Sequence, residues 1–278
     1  MIDNKKYYIW GLGGEAKKCN SDFLMNVDGI VDQNEALQGK CFYNNIIESP
    51  DDVLGKKNIF FIVLVIYEYD EIKKILINNG YIENVDFIWA PYWEGNERIP
   101  SPYYANEWKT YDGTIDFTED KWMKRAKMAV KMVSGYKSVA DMGAGAMTIK
   151  KLLGNTTQYY PVDYLKRFDE TIVCDFNKGE YPDLSVDVVF ALGVMEYISD
   201  TKMFVKKICD MTNTIVMSYN CIEKNDNYAL RKSNGWKNHY KIIEIIDMFS
   251  DNGFKLVDER MYGGIGIIFK FQNVINKR

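Results

Sequence analysis

A chain of 278 residues exceeds the commonest domain size, so its length predicts two domains, each able to bury its own core. Hydrophobic residues at 47% and charged residues at 27% exclude a disordered or collagen-like chain. A net charge of −4 excludes a surface that holds nucleic acid through excess cation, because such binding rests on neutralising phosphates.

In chain order, Lys5 to Trp10 reads as a strand, followed by the turn Gly11-Leu-Gly-Gly-Glu-Ala and a helix from about Glu15 to Leu24. Val27 to Val31 reads as a second strand ending in Asp32. The unbroken apolar run Ile59 to Ile66 predicts a strand buried on both faces of a parallel sheet. Tyr69 to Asn79 carries apolar residues at helical spacing and ends at Gly80, a helix-terminating residue. These elements predict an α/β domain over residues 1–90. Residues 91–116 hold Pro91, Pro100 and Pro102 among many aromatics, and read as a linker that packs on a domain or lines a cleft.

Residues 117–278 repeat the alternation. A helix from Thr118 to Val133 precedes strands at Ser138 to Asp141, Gln158 to Val162, Val186 to Leu192 and Thr214 to Tyr219. A helix at Lys241 to Ser250 stops at Gly253, and Phe254 to Met261 with Ile265 to Phe271 flank Tyr-Gly-Gly as a hairpin. The expected sheet has seven mostly parallel strands with an antiparallel edge strand.

The chemistry concentrates at strand ends. Asp141-Met-Gly143-Ala144-Gly145 places an acid at the end of a strand and two glycines in the turn that follows, read as leading into a helix. Glycines there let a ligand approach the backbone. Asp163, beside Tyr164, comes 22 residues after Asp141, where an acid accepts hydrogen bonds from a ribose diol. Asp175-Phe176 follows the third strand, and the fourth ends in Leu192-Gly193-Val-Met-Glu196-Tyr197. Each acid also has a plainer reading, as a cap or turn residue.

As a set, these residues resemble the class I S-adenosylmethionine-dependent methyltransferase family, from about Ser138 to Phe271. The resemblance implies a Rossmann-like fold and S-adenosylmethionine as cofactor. It implies that Gly143 and Gly145 lie beside the methionine part, Asp163 at the ribose and Asp175 with Phe176 around the adenine, with Asp141, Ala144, Tyr164, Leu192 and Gly193 also at the cofactor. Two residues depart from the family: Met147 stands where many members have a third glycine, and Tyr197 where relatives often have histidine.

The expected acceptor is a small molecule, seated among Glu196, Tyr197, Trp236, Tyr104, Trp108 and Tyr111. His239 is the sole histidine and the one side chain whose ordinary pKa lies near neutrality, which makes it the candidate base. The five cysteines (Cys19, Cys41, Cys174, Cys209, Cys221) form no CxxC pair, and with one histidine no metal site is expected. No apolar run approaches the roughly 20 residues of a membrane span, and the N-terminus lacks a signal sequence, so a cytoplasmic protein is expected.

The segment Lys5 to Pro91 matches the dinucleotide-binding fingerprint in part, through Gly11-x-Gly13-Gly14-x-Ala16 and Asp32. It also resembles the small Rossmann-like domains found beside sugar-modifying enzymes of bacterial surface polysaccharides, through Val31-Asp32-Gln33-Asn34, Gln38-Gly39-Lys40 and Ser49-Pro50. That resemblance implies a sugar or sugar nucleotide as methyl acceptor, and a domain through which a second copy or a pathway partner docks. Two other readings stay open: a protein that binds S-adenosylmethionine without turnover, and an NAD-dependent oxidoreductase.

Overall fold

The computed structural model describes residues 5–19, 21–102, 120–264 and 266–274. They fall into two compact units, one built on the N-terminal sheet together with Asn227–Gly235, the other on the C-terminal sheet.

The first unit runs through β1 (Lys6–Trp10), α1 (Ser21–Met25), β2 (Gly29–Val31), β3 (Cys41–Phe42), β4 (Asn45–Glu48), α2 (Pro50–Val53), β5 (Ile59–Val63), α3 (Tyr69–Asn78) and β6 (Phe87–Trp89). Its six strands lie in the order β3-β4-β2-β1-β5-β6. All neighbours pair in parallel except β3, which pairs antiparallel with β4. Central strands of such a sheet are apolar on both faces. Accordingly Tyr7, Ile9, Phe60 and Ile62 join one core, and Tyr8, Trp10, Phe61 and Val63 the other. Helix α3 buries Tyr69, Ile72 and Leu76, a stripe at the helical spacings of three and four, and Gly80 follows at φ 83°.

The single helix expected from Glu15 to Leu24 is instead a 3-10 turn at Ala16–Lys18 and the short α1. Cys19 is extended between them, and of the turn only Ala16 is buried, so no apolar stripe carries one helix through. The core continues past β6: Ala90, Trp93 and Ile99 are buried in it, with Trp93 Nε1 donating to the Ile99 carbonyl at 3.3 Å. Helix α6 (Tyr228–Ser233), capped by Asn227, also belongs here. It packs on the 3-10 turn Ala90–Tyr92, with Lys232 Nζ 4.3 Å from the Tyr92 ring centre.

The second unit runs through α4 (Asp120–Val130), β7 (Ser138–Met142), β8 (Gln158–Asp163), β9 (Ile172–Val173), β10 (Val188–Leu192), α5 (Thr201–Met211), β11 (Thr214–Tyr219), α7 (Ile242–Ser250), β12 (Phe254–Tyr262) and β13 (Gly266–Asn273). The seven strands lie in the order β12-β13-β11-β10-β7-β8-β9. Only β13 runs against its neighbours. The antiparallel strand is therefore second from the edge, and not the edge strand expected. The burial patterns explain the exchange: β13 is buried continuously over Gly266–Phe269, whereas β12 alternates buried or half-buried with exposed positions. The continuously apolar strand takes the inner place.

Residues of α5 and α7, among them Phe204, Ile208, Ile245 and Phe249, cover one face of this sheet. Ala126 and Ala129 of α4 pack on the other, against Val139, Val188, Phe190 and Val216. The helix expected after the glycine turn is absent. A 3-10 turn at Lys150–Leu152, with none of its residues buried, stands in its place, and Gly154 follows two residues on.

Candidate functional site

At the carboxyl end of β7 the chain turns through Gly143, at φ 78°, whose N–H donates to the Val162 carbonyl at 2.8 Å. A Cβ on Gly143 would stand 2.8 Å from Cβ of Val194, so both the backbone angle and the space demand glycine. Gly145 N–H donates to Asp163 Oδ2 at 2.9 Å, and Leu165 N–H to Oδ1 at 3.1 Å. Asp163 is thus pinned at the edge of β8, with two of about four carboxylate lone-pair positions still unused. Met147 sits at φ 53°, a left-handed angle that ordinarily favours glycine.

Asp141 is 3% exposed and accepts from the Tyr159 hydroxyl at 2.6 Å. Burial pushes its carboxyl up to about 7, against the opposing effects of the tyrosine hydrogen bond and of Arg125, while the nearby Asp163 charge adds to the rise.

Arg125 was not among the residues singled out from sequence. Its guanidinium lies against Gly193, at the end of β10, where a Cβ would meet Nη1 at 2.5 Å. It is stacked between the rings of Trp122 and Tyr262, 5.2 and 5.6 Å from their centres. Among the described residues it makes no hydrogen bond or ion pair, and its buried Nε is unpartnered. A cation held in place by two rings, near Asp141 and Glu196 but bonded to neither, has its donors open to a ligand.

Glu196 completes the charged group. It is 1% exposed; Oε1 accepts from Asn220 N at 3.0 Å and Nδ2 at 2.8 Å, and Oε2 is buried without a partner. Burial raises its pKa, and Asn220 and Arg125 counter that rise. Asn220 too was missed, since one asparagine at a strand end carries no sequence signal. Arg125 did leave one: Trp122, Arg125 and Ala129 share a helical stripe, whereas Lys124 is exposed.

The loop after α6 is tied to the same strand end. Trp236 Nε1 donates to the Tyr197 hydroxyl at 3.3 Å, and Lys237 N–H to the Glu196 carbonyl at 2.8 Å. Asn238 Nδ2 donates to the carbonyls of Met195 at 2.8 Å and Ile198 at 2.9 Å. His239 follows directly and is half-buried. Glu196, Tyr197 and Trp236 therefore come together as expected from the sequence, while Tyr104, Trp108 and Tyr111 lie outside the described residues.

The adenine pair divides. Asp175 caps a 3-10 turn through Asn177 N–H at 3.0 Å and stays partly exposed, but Phe176 is 7% exposed and stacks on Tyr181, 5.4 Å between ring centres, inside the core. Ala144 is buried; Tyr164 and Leu192 are half-buried beside Asp163 and Gly193. Among the described residues no three metal-ligating side chains cluster, and no helix is long and apolar enough to cross a membrane.

No family model and no curated protein matches this chain. Solved structures do. One is a chain of the complex containing the Haloferax volcanii Trm112 methyltransferase activator, with a TM-score of 0.47, 15% identity, and coverage of 55% of this chain and 90% of that one. Another is magnesium protoporphyrin IX methyltransferase from Synechocystis PCC 6803 with bound SAH: TM-score 0.46, 14% identity, 58% of this chain and 89% of that one. A third is the 1,6-didemethyltoxoflavin-N1-methyltransferase of Burkholderia thailandensis with bound 1,6-didemethyltoxoflavin and S-adenosylhomocysteine: TM-score 0.45, 14% identity, 58% of this chain and 82% of that one.

Proposed function

We propose that the second unit is a class I methyltransferase that takes S-adenosylmethionine and methylates a small molecule. The observation that carries this reading is the match of charges at one sheet edge. The amino-acid end of this cofactor bears an ammonium, a sulfonium and a carboxylate, and the edge offers two buried acids, Asp141 and Glu196, beside the unpaired Arg125. Arg125 would hold the carboxylate, the two acids would offset the positive charge, and the free lone pairs of Asp163 would take the ribose hydroxyls. When bound, the cofactor supplies an electrophilic methyl group.

Transfer of that group is an in-line displacement, so the residues around it act by aligning the acceptor and excluding water. Trp236 and Tyr197, tied to each other at the end of β10, present ring surface for an acceptor. His239 takes the proton of a hydroxyl or ammonium acceptor as base. A sugar or sugar nucleotide is the acceptor class we favour, because aromatic walls suit a sugar face.

Calorimetric titration with S-adenosylhomocysteine tests the site. The parent is expected to bind, and Asp163→Ala to weaken binding about tenfold or more, since a hydrogen bond to a charged group contributes roughly 1.5 to 3 kcal/mol. Absence of binding in the parent would refute the function; unchanged affinity in the variant would refute the role of Asp163. Release of S-adenosylhomocysteine from S-adenosylmethionine in the presence of a panel of sugars and sugar nucleotides separates an enzyme from a protein that only binds the cofactor.

A further inference from the structure

We infer that the first unit carries a ligand site of its own, at the carboxyl ends of β1 and β5, for the ribose and phosphates of a nucleoside diphosphate. The reasoning rests on reading Asp163 and its glycine turn as a nucleoside seat, because the first unit builds a closely similar frame, in which the amide that meets the acid comes one residue after the glycine and not two. After β1, Gly11 turns at φ 104° and its N–H donates to the Val31 carbonyl at 2.8 Å; after β7, Gly143 turns at φ 78° and donates to the Val162 carbonyl at 2.8 Å. Each of those valines precedes the acid, Asp32 in one unit and Asp163 in the other.

Asp32 Oδ2 accepts from Leu12 N–H at 2.7 Å, and Oδ1 from Asn34 N–H two residues on at 2.8 Å. Asp163 does the same with Gly145 and Leu165, at 2.9 and 3.1 Å. The strand across the turn matches too. A Cβ on Gly11 would meet Val65 at 2.6 Å, two residues past β5, and one on Gly143 would meet Val194 at 2.8 Å, two residues past β10. The acids are buried alike, at 8% and 7% exposure, and each keeps lone pairs for a diol.

What surrounds the frame decides the ligand. Two residues before the glycine, where the second unit has Asp141, the first has Ile9, fully buried. Two residues past the valine, where the second unit has Glu196, the first has Tyr67, 76% exposed. Neither position carries an acid, so the site lacks the two carboxylates that the second unit offers to an amino-acid cation. Instead, the chain continues into Gly13 and Gly14, both exposed, with no atom within 4 Å of a Cβ on either. Their N–H groups make no hydrogen bond among the described residues. Exposed backbone donors with no side chain over them receive phosphate oxygens. Ligands of open parallel sheets bind at this place, where the strand order reverses between β1 and β5.

The probes are ADP, UDP, NAD and UDP-glucose, titrated calorimetrically into the full chain with S-adenosylhomocysteine at saturation. ADP and UDP present the diphosphate alone, and the other two present it within a larger molecule. At least one is expected to bind. Asp32→Ala is expected to weaken it tenfold or more, and Asp163→Ala to leave it unchanged. Because Asp32 also ties two loops, Gly14→Val provides a second variant: it adds a side chain into open space and is expected to abolish nucleotide binding while keeping thermal stability and S-adenosylhomocysteine affinity. No binding of any probe, or binding that survives Gly14→Val, overturns the inference. Failure of the nucleotides alone leaves the methyltransferase reading standing; failure of S-adenosylhomocysteine alone overturns that reading and not this one.

Discussion

The two sheets hold the same turn and the same acid, yet only one surrounds them with charge. In the second unit the frame is ringed by Asp141, Glu196 and Arg125; in the first, Ile9 and Tyr67 stand where the two acids would be. The frame is a matter of backbone: a left-handed glycine, a valine that crowds it, and a carboxylate bonded to two amides. Which ligand the frame serves is set by three or four side chains outside it, and those side chains are where the two units can be told apart by experiment.

The largest effect is expected from His239→Ala, which should lower kcat by about 10² to 10⁴ with cofactor affinity nearly unchanged, as for a base that acts in the transition state. Steady-state kinetics with parallel titration of S-adenosylhomocysteine check it, and full activity would return His239 to a packing role. Nucleotide binding by the first unit should not respond.

Next is Arg125→Ala. A cation with no other partner, lost from a carboxylate, should weaken S-adenosylhomocysteine about 10- to 100-fold. If affinity holds, Arg125 belongs to the acceptor and KM for the acceptor should rise instead.

The third effect is graded with pH. With its carboxyl pushed up to about 7, Asp141 is protonated in the folded protein below that value, whereas the unfolded chain ionises near pH 4. Between those values the folded state binds the extra proton, so stability falls as pH rises from about 4 to about 7 and levels off beyond. Cofactor affinity should run the other way, rising up to tenfold per pH unit toward 7, because a cation favours the ionised acid. Titrations from pH 5.5 to 8 check this, and Asp141→Asn should flatten the profile. The first unit, with Ile9 at that position, should bind NAD or UDP-glucose, whose phosphates do not titrate in this range, without such a slope.

The acids were legible in the sequence because they stand at the ends of apolar strands, where a polar residue is conspicuous and its order along the chain sets its place. Asp141, Asp163 and Glu196 could be named on that ground. Arg125 was harder to pick out among Lys121, Lys124 and Lys127: its place on the stripe of Trp122 and Ala129 was the one mark it left, and the packed helix shows that it turns toward the sheet edge. The packing of Phe176 was not legible: an aromatic beside an acid reads as a ligand wall, and only the fold shows its ring against Tyr181 and Phe204. The hairpin of β3 and β4 went unseen, being strands of two and four residues with no alternation to detect. The inner place of β13 depended on which hairpin arm was apolar throughout, and the pattern was present in the sequence once both arms were compared.

Helix α6 separates chain order from architecture. It is encoded between β11 and α7, strands and helices of the second unit, but it lays Ala229, Arg231 and Ser233 into the first unit, where all three are buried. A scissile bond between the two sheets therefore does not yield two self-sufficient halves. The C-terminal fragment would carry a helix whose seat had been left behind, with a fully buried arginine turned out to solvent. The N-terminal fragment would keep an empty place over Ala90–Tyr92. Halves made by such a cut should recover their fold better when mixed than when kept apart.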